Sequence, residues 1–367
     1  MKKILAFVLA FLLTVPFLAS CAGTTVVIGN CNCTCKDQTP VTPGGNGNGN
    51  VGEGALKTGL SVSTSVSDSI DATADKNGEA KFDITVAAVL VDDNGVIVSC
   101  VIDSVPATVK FSNTGAITSD LTAAVLTKNE LGENYGMVAW GGAKYEWDAQ
   151  VAAFAKYAEG KTVDQLKNGD IDMTTGKAKD GTDLSSSASI YLAGYVYAVE
   201  AAVNNATHLG AQSGDTLVLS TVNNVKSSAD YKPASGETKA KNGVAELDSD
   251  IVVLTKNGDT VTSCYIDAVQ AKVEFDGTGK ITTDLKKKIQ TKNELGDNYG
   301  MVAWGGAKYE WNAQAASFAA YVTGKTAAEI AGIAITESTK PADGTDLAAT
   351  VTIAIGGFQA LIAKAMQ

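Results

Sequence analysis

The sequence predicts an α+β protein with two tandem homologous domains, each a small antiparallel sheet followed by helices. Three observations lead to this fold class. A 21-residue segment from Thr127 to Trp147 recurs from Thr291 to Trp311, with Asp297 in place of Glu133 as the single change. Apolar and β-branched runs around Asn-Gly turns precede each copy, and apolar residues at helical spacing follow it. Because the copies stand 164 residues apart, the repeating unit has the size of a whole domain.

The amino terminus has the order of an export signal. Lys2 and Lys3 precede an apolar run at residues 4–17, and the small residue Ser20 stands before Cys21. This order is similar to a bacterial lipobox, in which the cysteine receives a lipid; an ordinary secretory signal cleaved near Ser20 is the alternative. We therefore predict a lipoprotein that is attached through Cys21 to the extracytoplasmic face of a membrane and does not span it.

Composition constrains the partners and the organisation of the chain. The net charge of −11 argues against nucleic acid as a partner and against electrostatic binding to an anionic bilayer. Alternating Gly and Asn residues at 44–50 predict a flexible tether, in which Cys31, Cys33 and Cys35 favour disulfides over a metal site. The predicted segments are the signal (1–20), the tether (21–55), the first domain (56–205), a linker (206–214) and the second domain (215–367).

Strand and turn patterns open each domain. In the first domain we predict strands at 60–66, 82–91, 96–105 and 107–111, with a hairpin turn at 93–95. The second domain repeats the pattern with strands at 251–254, 260–269 and 271–275 around a turn at 256–258. Ser-Asp-Leu at 119–121 and Thr-Asp-Leu at 283–285 are typical of helix caps, and predict a short helix after each sheet.

Helices close each domain. Apolar spacing predicts helices at 147–157 and 311–322, each followed by a terminating glycine. Thr162 and Thr326 begin capping-box patterns for a further short helix. An Ala-rich helix then ends each domain, at 189–203 and 353–365.

Catalytic motifs are missing from the repeated parts of the sequence. The lone histidine, His208, lies in the linker, so no repeated Ser-His-Asp or Cys-His arrangement exists. Cys100 and Cys264 lie in apolar strand patterns and are predicted to be small buried hydrophobic residues. A paired-carboxylate glycosidase is the alternative, although acidic residues are common and none is singled out. We therefore predict a binding or electron-carrier protein rather than an enzyme.

The order of segments carries a family resemblance. In each domain a strand pair around Asn-Gly, a further strand, a glycine- and aromatic-rich stretch and a helix ending in Gly-Lys-Thr precede the last helix. Together with Asp-Leu-Ala-Ala-Thr-Val-Thr at 346–352, this order resembles the FMN-binding domain family, in which a hydroxyl at the head of the last helix bears FMN through a phosphoester. The resemblance implies attachment at Thr350 and, in the first domain, at Ser187. An ordinary helix N-cap is the alternative role for both residues.

The aromatic residues of the repeated segment complete the predicted site. The resemblance implies that Tyr135, Trp140 and Tyr145, or Tyr299, Trp304 and Tyr309, stack on the FMN ring. The protein would then carry electrons near the membrane, and would need a redox partner and a flavin transferase. The alternative is a non-catalytic surface module that presents its Trp-rich loops to a glycan, a peptide or a protein.

Overall fold

Two three-stranded antiparallel sheets form the centre of the molecule. The computed structural model describes residues 54–367, which belong to one compact unit. We call residues 54–205 half one and residues 215–367 half two. The strands are β1 (Lys57–Ser65), β2 (Gly78–Val91), β3 (Ile97–Phe111), β4 (Ile171–Asp172), β5 (Lys177–Ala178), β6 (Thr216–Asn224), β7 (Gly243–Asn257) and β8 (Thr260–Phe275). The strand orders are β1-β2-β3 and β6-β7-β8, with β4 and β5 as a separate small hairpin.

Helices follow the large sheet in each half, so the predicted combination of helices with small antiparallel sheets is confirmed. The helices are α1 (Lys128–Leu131), α2 (Trp147–Ala158), α3 (Val163–Asn168), α4 (Asp183–Ser187), α5 (Ala193–Asn204), α6 (Lys292–Leu295), α7 (Trp311–Val322), α8 (Ala327–Ala331) and α9 (Gly356–Ala365). Short 3-10 turns lie at Gly132–Tyr135, Gly296–Tyr299 and Leu347–Ala349. No helix within residues 54–367 is long and apolar enough to cross a membrane.

The strands are longer than the sequence patterns predicted. The strands predicted at 96–105 and 107–111 are one strand, β3, with Pro106 in its interior. A proline is tolerated there because β3 is an edge strand of its sheet, where the missing N–H removes no ladder bond on the open side. The two strands predicted at 260–269 and 271–275 likewise form β8, and β6 had not been predicted.

Both faces of each sheet are covered. In β2, Val86, Ala88 and Leu90 face a central core, whereas Ala87, Val89 and Val91 face the helices of half one. This double burial explains why the strand is a continuous apolar run, a pattern more usual in parallel sheets. The described residues therefore form four layers, in the order helices, sheet, sheet, helices.

The central core belongs to both halves. Phe111 and Phe275 stack at its centre with ring centroids 4.0 Å apart and planes 2° from parallel. The halves also exchange reciprocal hydrogen bonds: Ile281 N donates to Asp71 Oδ1 (2.7 Å), and Ile117 N donates to Asp230 Oδ1 (2.7 Å). The two sheets thus meet in the way that two subunits meet across a twofold axis.

Two helix predictions were wrong. The predicted caps at 119–121 and 283–285 start no helix; Asp120 and Asp284 instead accept backbone N–H groups two residues ahead, as in Asx turns. The last helices begin at Ala193 and Gly356, a few residues later than predicted. The segments just before them are held out of the helix by hydrogen bonds to Gln150 of α2 and Gln314 of α7, which local sequence does not reveal.

Candidate binding loops

The near-identical segments place a glycine-rich loop at the same point of each half. Residues 136–145 connect the 3-10 turn Gly132–Tyr135 to helix α2, and residues 300–309 connect Gly296–Tyr299 to helix α7. We call these two segments the Trp loops. They carry Trp140 and Trp304, while Trp147 and Trp311 are buried at the first position of the following helices.

Glycines set the path of each Trp loop. Gly136 has a left-handed backbone (φ 81°), and a Cβ atom placed on it would lie 2.3 Å from the Trp140 ring. Gly300 stands in the same relation to Trp304, at 2.2 Å. In half one, Trp140 N then donates to Gly136 O (3.0 Å) and Ala143 N donates to Met137 O (3.0 Å). A side chain at Gly136 or Gly300 would displace the indole, so the ring depends on a bare backbone beneath it.

A carboxylate clamps the first part of each loop. Met137 N donates to Glu146 Oε2 (2.8 Å) and Val138 N donates to Glu146 Oε1 (3.0 Å). Glu310 accepts the same two bonds in half two, each at 2.9 Å. Hydrogen bonds to an ionised acceptor are about twice as strong as neutral ones, so the clamp holds the loop firmly in one conformation.

A buried glutamine fixes the end of each loop. Gln150 and Gln314 are 1% and 0% exposed, and each donates from Nε2 to the last loop carbonyl, that of Tyr145 or Tyr309 (2.8 Å). Gln150 Oε1 accepts from Ser189 N, Ser189 Oγ and Ile190 N, and Gln314 does the same in half two. One side chain therefore joins the loop to the segment before the last helix.

The indoles that this scaffold holds are directed outward. Trp140 and Trp304 are each 82% exposed. Two positions earlier in each loop, Val138 (44%) and Val302 (45%) are exposed as well. Tryptophan is normally well buried in a monomeric protein, so two such residues at equivalent positions call for a functional explanation. Rigid loops that expose an indole in this way supply a flat apolar surface at a small entropic cost of binding.

Two of the predicted stacking tyrosines, Tyr135 and Tyr299, lie at the end of the 3-10 turn that precedes each Trp loop. Lys128 Nζ is 5.1 Å from the centroid of the Tyr135 ring and 5.2 Å from that of the Trp147 ring. In half two, Lys292 Nζ lies 5.2 Å from Tyr299 and 5.0 Å from Trp311. One face of each tyrosine therefore packs on a lysine, and a planar ring has access to the other face alone.

The two predicted attachment residues lie at the wrong end of a helical turn. Ser187 is the last residue of α4 and its Oγ donates to the carbonyls of Asp183 and Leu184 (3.2 Å each). Thr350 follows the turn Leu347–Ala349 and donates to Leu347 O (3.4 Å). Both residues had been predicted to lie at the head of the last helix, and neither does. The carboxyl end of a helical turn presents carbonyls and partial negative charge, so these residues do not fit the phosphate of FMN.

Sequence reasoning missed the residues that build the loops. Glu146 and Gln150, with their counterparts in half two, hold the loops in place, and Lys128 packs on the rings of Tyr135 and Trp147. None of these residues had a predicted role. Their signal was the near-identity of the two segments, which keeps the supporting residues as well as the exposed ones.

Within residues 54–367 no cluster of three or more His, Cys, Asp or Glu side chains could hold a metal ion. The chain shows no significant match to protein-family models, to curated proteins or to solved structures.

Proposed function

We propose that this protein is a non-catalytic binding protein of the bacterial cell surface, and that its two Trp loops bind a glycan. The observation that carries the proposal is the pair of indoles, each 82% exposed on a loop clamped by a carboxylate. The flat face of an indole packs well on the apolar face of a pyranose ring. Since the two loops are alike, they suit a ligand that offers the same chemical group repeatedly, as a polysaccharide does.

The proposal is tested by affinity gel electrophoresis of the purified protein in soluble β-glucan, xylan and mannan. We expect at least one polysaccharide to retard the protein. Trp140→Ala and Trp304→Ala should each weaken binding about tenfold, because each removes a stacking residue worth about 1.4 kcal/mol or more, and the double variant should not bind. Tyr321→Ala, which removes a partly exposed aromatic ring from α7, is the control and should bind as the wild type does.

Two results would overturn the proposal. One is a double variant that is retarded as strongly as the wild type; the other is the absence of retardation in every polysaccharide. Binding of a peptide or a partner protein through the same loops would give the second result. It would be recognised by a cross-link from a photoreactive group placed at Trp140.

The location belongs to the proposal as well. Cys21 and the Gly/Asn tether lie outside residues 54–367, and lipid attachment at Cys21 remains a prediction from the leader sequence. A lipid on Cys21 and a tether before residue 54 would hold the Trp loops away from the membrane, where they can reach an extracellular polymer. Incorporation of labelled palmitate into the wild type, and its loss in Cys21→Ala, would test this location.

We also propose that the two halves arose by tandem duplication of one domain. The halves share their strand order, their paired capping boxes, the carboxylate clamp and the glutamine bridge. A shared core between the copies is what a homodimer would leave after fusion of its two chains.

Bound flavin remains a prediction of the family resemblance, and it is separable from glycan binding. Intact mass of the protein produced with a flavin transferase measures it directly. We expect no covalent increment, because Ser187 and Thr350 lie at the carboxyl end of a helical turn, where the partial negative charge disfavours a phosphate. An FMN increment lost in Ser187→Ala or Thr350→Ala would establish the electron-carrier hypothesis instead.

A further inference from the structure

Half one contains a cavity that the Trp loops do not account for. Its volume is about 720 Å³, within the range of small-molecule sites. It opens beside helix α5, strand β1 and the start of the repeated segment. Its wall is rich in aromatic rings, namely those of Tyr135, Trp147, Tyr191, Tyr195 and Tyr197. Ser63 and Thr85 also line it, with Lys288 and Glu294 from half two.

Lys128 is the buried charged group of this cavity, whereas Lys288 and Glu294, which also line it, pair with each other (2.8 Å). Lys128 lines the cavity, is 8% exposed, and lies between the rings of Tyr135 and Trp147. It pairs with Asp83 Oδ2 at 3.9 Å, the outer limit of an ion pair. Asp83 is itself more than half exposed, and its other oxygen accepts a hydrogen bond from Ser104 Oγ (3.0 Å). The ammonium group is therefore poorly neutralised in a setting of low dielectric, where it attracts an anion strongly.

The corresponding space in half two has a different set of charges. By strand register the counterpart of Thr85 is Asp250, which is partly buried. Burial raises the pKa of Asp250 and the charge of Lys292 lowers it, so this carboxylate lies within electrostatic range of Lys292, the counterpart of Lys128. Lys292 thus has an acidic neighbour where Lys128 has a threonine.

A second sequence difference between the halves fills the corresponding space in half two. The counterpart of Ala201 on the last helix is Lys364, whose Nζ donates to Thr221 O (2.6 Å) and pairs with Glu130. Thr221 is the register counterpart of Val62, which lines the cavity of half one. Lys364 therefore crosses the space that is open in half one. Two of the cavity tyrosines, Tyr191 and Tyr197, are alanines at their counterparts in half two.

We infer that the cavity of half one binds a small ring-bearing carboxylate, either a sugar acid or an aromatic acid. The carboxylate pairs with Lys128, and the ring packs against the tyrosine side chains. Ser63 and Thr85 offer hydroxyl groups to the polar edge of the ligand. Of the Trp loop of half one, Met137 lines the cavity and Trp140 does not, so this inference does not depend on the exposed indoles.

Isothermal titration calorimetry of the purified protein tests the inference with two probes and their neutral analogues. The probes are D-glucuronate and benzoate; the analogues are D-glucose and benzyl alcohol. We expect at least one probe to bind at a single site at least about tenfold more tightly than its analogue, because the analogue cannot pair with Lys128. The probe that binds identifies the kind of ring. Failure of both probes at millimolar concentration, or equal binding by the analogues, would overturn the inference.

Half two supplies a matched control. Lys128→Met should weaken probe binding at least about tenfold, whereas Lys292→Met changes an equivalent lysine outside the cavity and should leave binding unchanged. Equal losses in both variants would show that the lysine acts through folding alone, and would contradict the inference. Trp140→Ala with Trp304→Ala should also leave probe binding unchanged, which separates this site from the glycan proposal.

A transplant from half two provides the last test. Thr85→Asp with Ala201→Lys installs the two charged residues of half two in the cavity of half one. We expect probe binding to disappear while the circular dichroism spectrum is preserved. Retention of binding in this folded variant would refute the proposed position of the ligand. If the variant does not fold, the comparison of Lys128→Met with Lys292→Met decides.

Discussion

Half one and half two have the same framework, and differ in what their last helix places against it. The strand orders, the capping boxes and the Trp loops coincide. On the last helix, however, Tyr195 is replaced by Phe358 and Ala201 by Lys364. Trp147 Nε1 donates to Tyr195 Oη (2.9 Å), whereas Phe358 meets Trp311 with an aromatic edge alone. The repeated segment therefore keeps the Trp loops alike in both halves, whereas the divergent last helix shapes the cavity of half one.

The largest expected effect concerns the core that the halves share. Phe111→Ala and Phe275→Ala should each lower the free energy of unfolding by about 3–5 kcal/mol, because both rings are fully buried and stacked on each other. Urea unfolding followed by fluorescence should give one transition in each variant, since the core is common. The double variant should lose less than the sum of the single losses. Two separate transitions, with one unaffected by Phe275→Ala, would show that the halves fold independently.

The next effect concerns the carboxylate clamps. Glu146→Ala and Glu310→Ala should each cost about 2–4 kcal/mol, because each leaves two loop N–H groups without an ionised acceptor. Amide hydrogen exchange at residues 137–138 or 301–302 should accelerate in the half that carries the change and stay unchanged in the other. Equal acceleration in both halves would mean that the loops are coupled through the core.

A buried aspartate in each half is expected to make the free energy of unfolding depend on pH. Burial raises the pKa of Asp267 from 3.8 to about 6, and Asp267 Oδ1 accepts from Ala268 N (2.8 Å) and Asn293 N (3.1 Å). The folded state binds this proton more tightly than the unfolded chain does. The resulting stability is complete below about pH 4 and is lost as the pH rises through about 6.

Asp267→Asn keeps an acceptor oxygen and cannot ionise. Relative to the wild type, its free energy of unfolding should therefore improve by about 1–3 kcal/mol between about pH 4 and pH 7. Urea titrations across that range measure the difference. Burial also raises the pKa of Asp103, the counterpart in half one, so Asp103→Asn should change stability in the same direction. A stability difference that does not vary with pH would contradict the assignment.

The smallest expected effect concerns the ion pair that joins the halves. Lys364 and Glu130 are both partly exposed, at 39% and 29%, so solvent screens their attraction. Lys364→Met, Glu130→Gln and the double variant should give a coupling energy below about 1 kcal/mol. A much larger coupling would show that this pair, and not the central core, decides how the halves associate.

Much of the framework follows from local sequence. The hairpin around residues 93–95, helices α2 and α7, and the capping boxes at Thr162 and Thr326 were predicted and are present. Each depends on interactions among residues close in the chain: turn conformation, 3.6-residue periodicity and capping hydrogen bonds. The buried state of Cys100 and Cys264 was also predicted, from their apolar surroundings.

The candidate sites were only partly predictable. The Trp loops were recognisable because glycines flank Trp140 and Trp304 and because the segment is repeated. Their exposure depends on Glu146 and Gln150, whose bonding partners lie up to 40 residues away. The positions of Ser187 and Thr350 were misjudged for the same reason, since Gln150 and Gln314 hold the segments that were expected to be helical.

Sequence alone determined the repeat and the charge of −11, and it predicted correctly that strands precede helices in each half. The lipoprotein leader at residues 1–20 stays a prediction. Tertiary structure alone decided that Phe111 meets Phe275 in a common core, and that Asp250 and Lys364 occupy in half two the place of an open cavity in half one. The physical reason is the range of the forces involved. Turns, caps and periodicity act within a few residues, whereas burial and charge neutralisation depend on neighbours that folding brings together from distant parts of the chain.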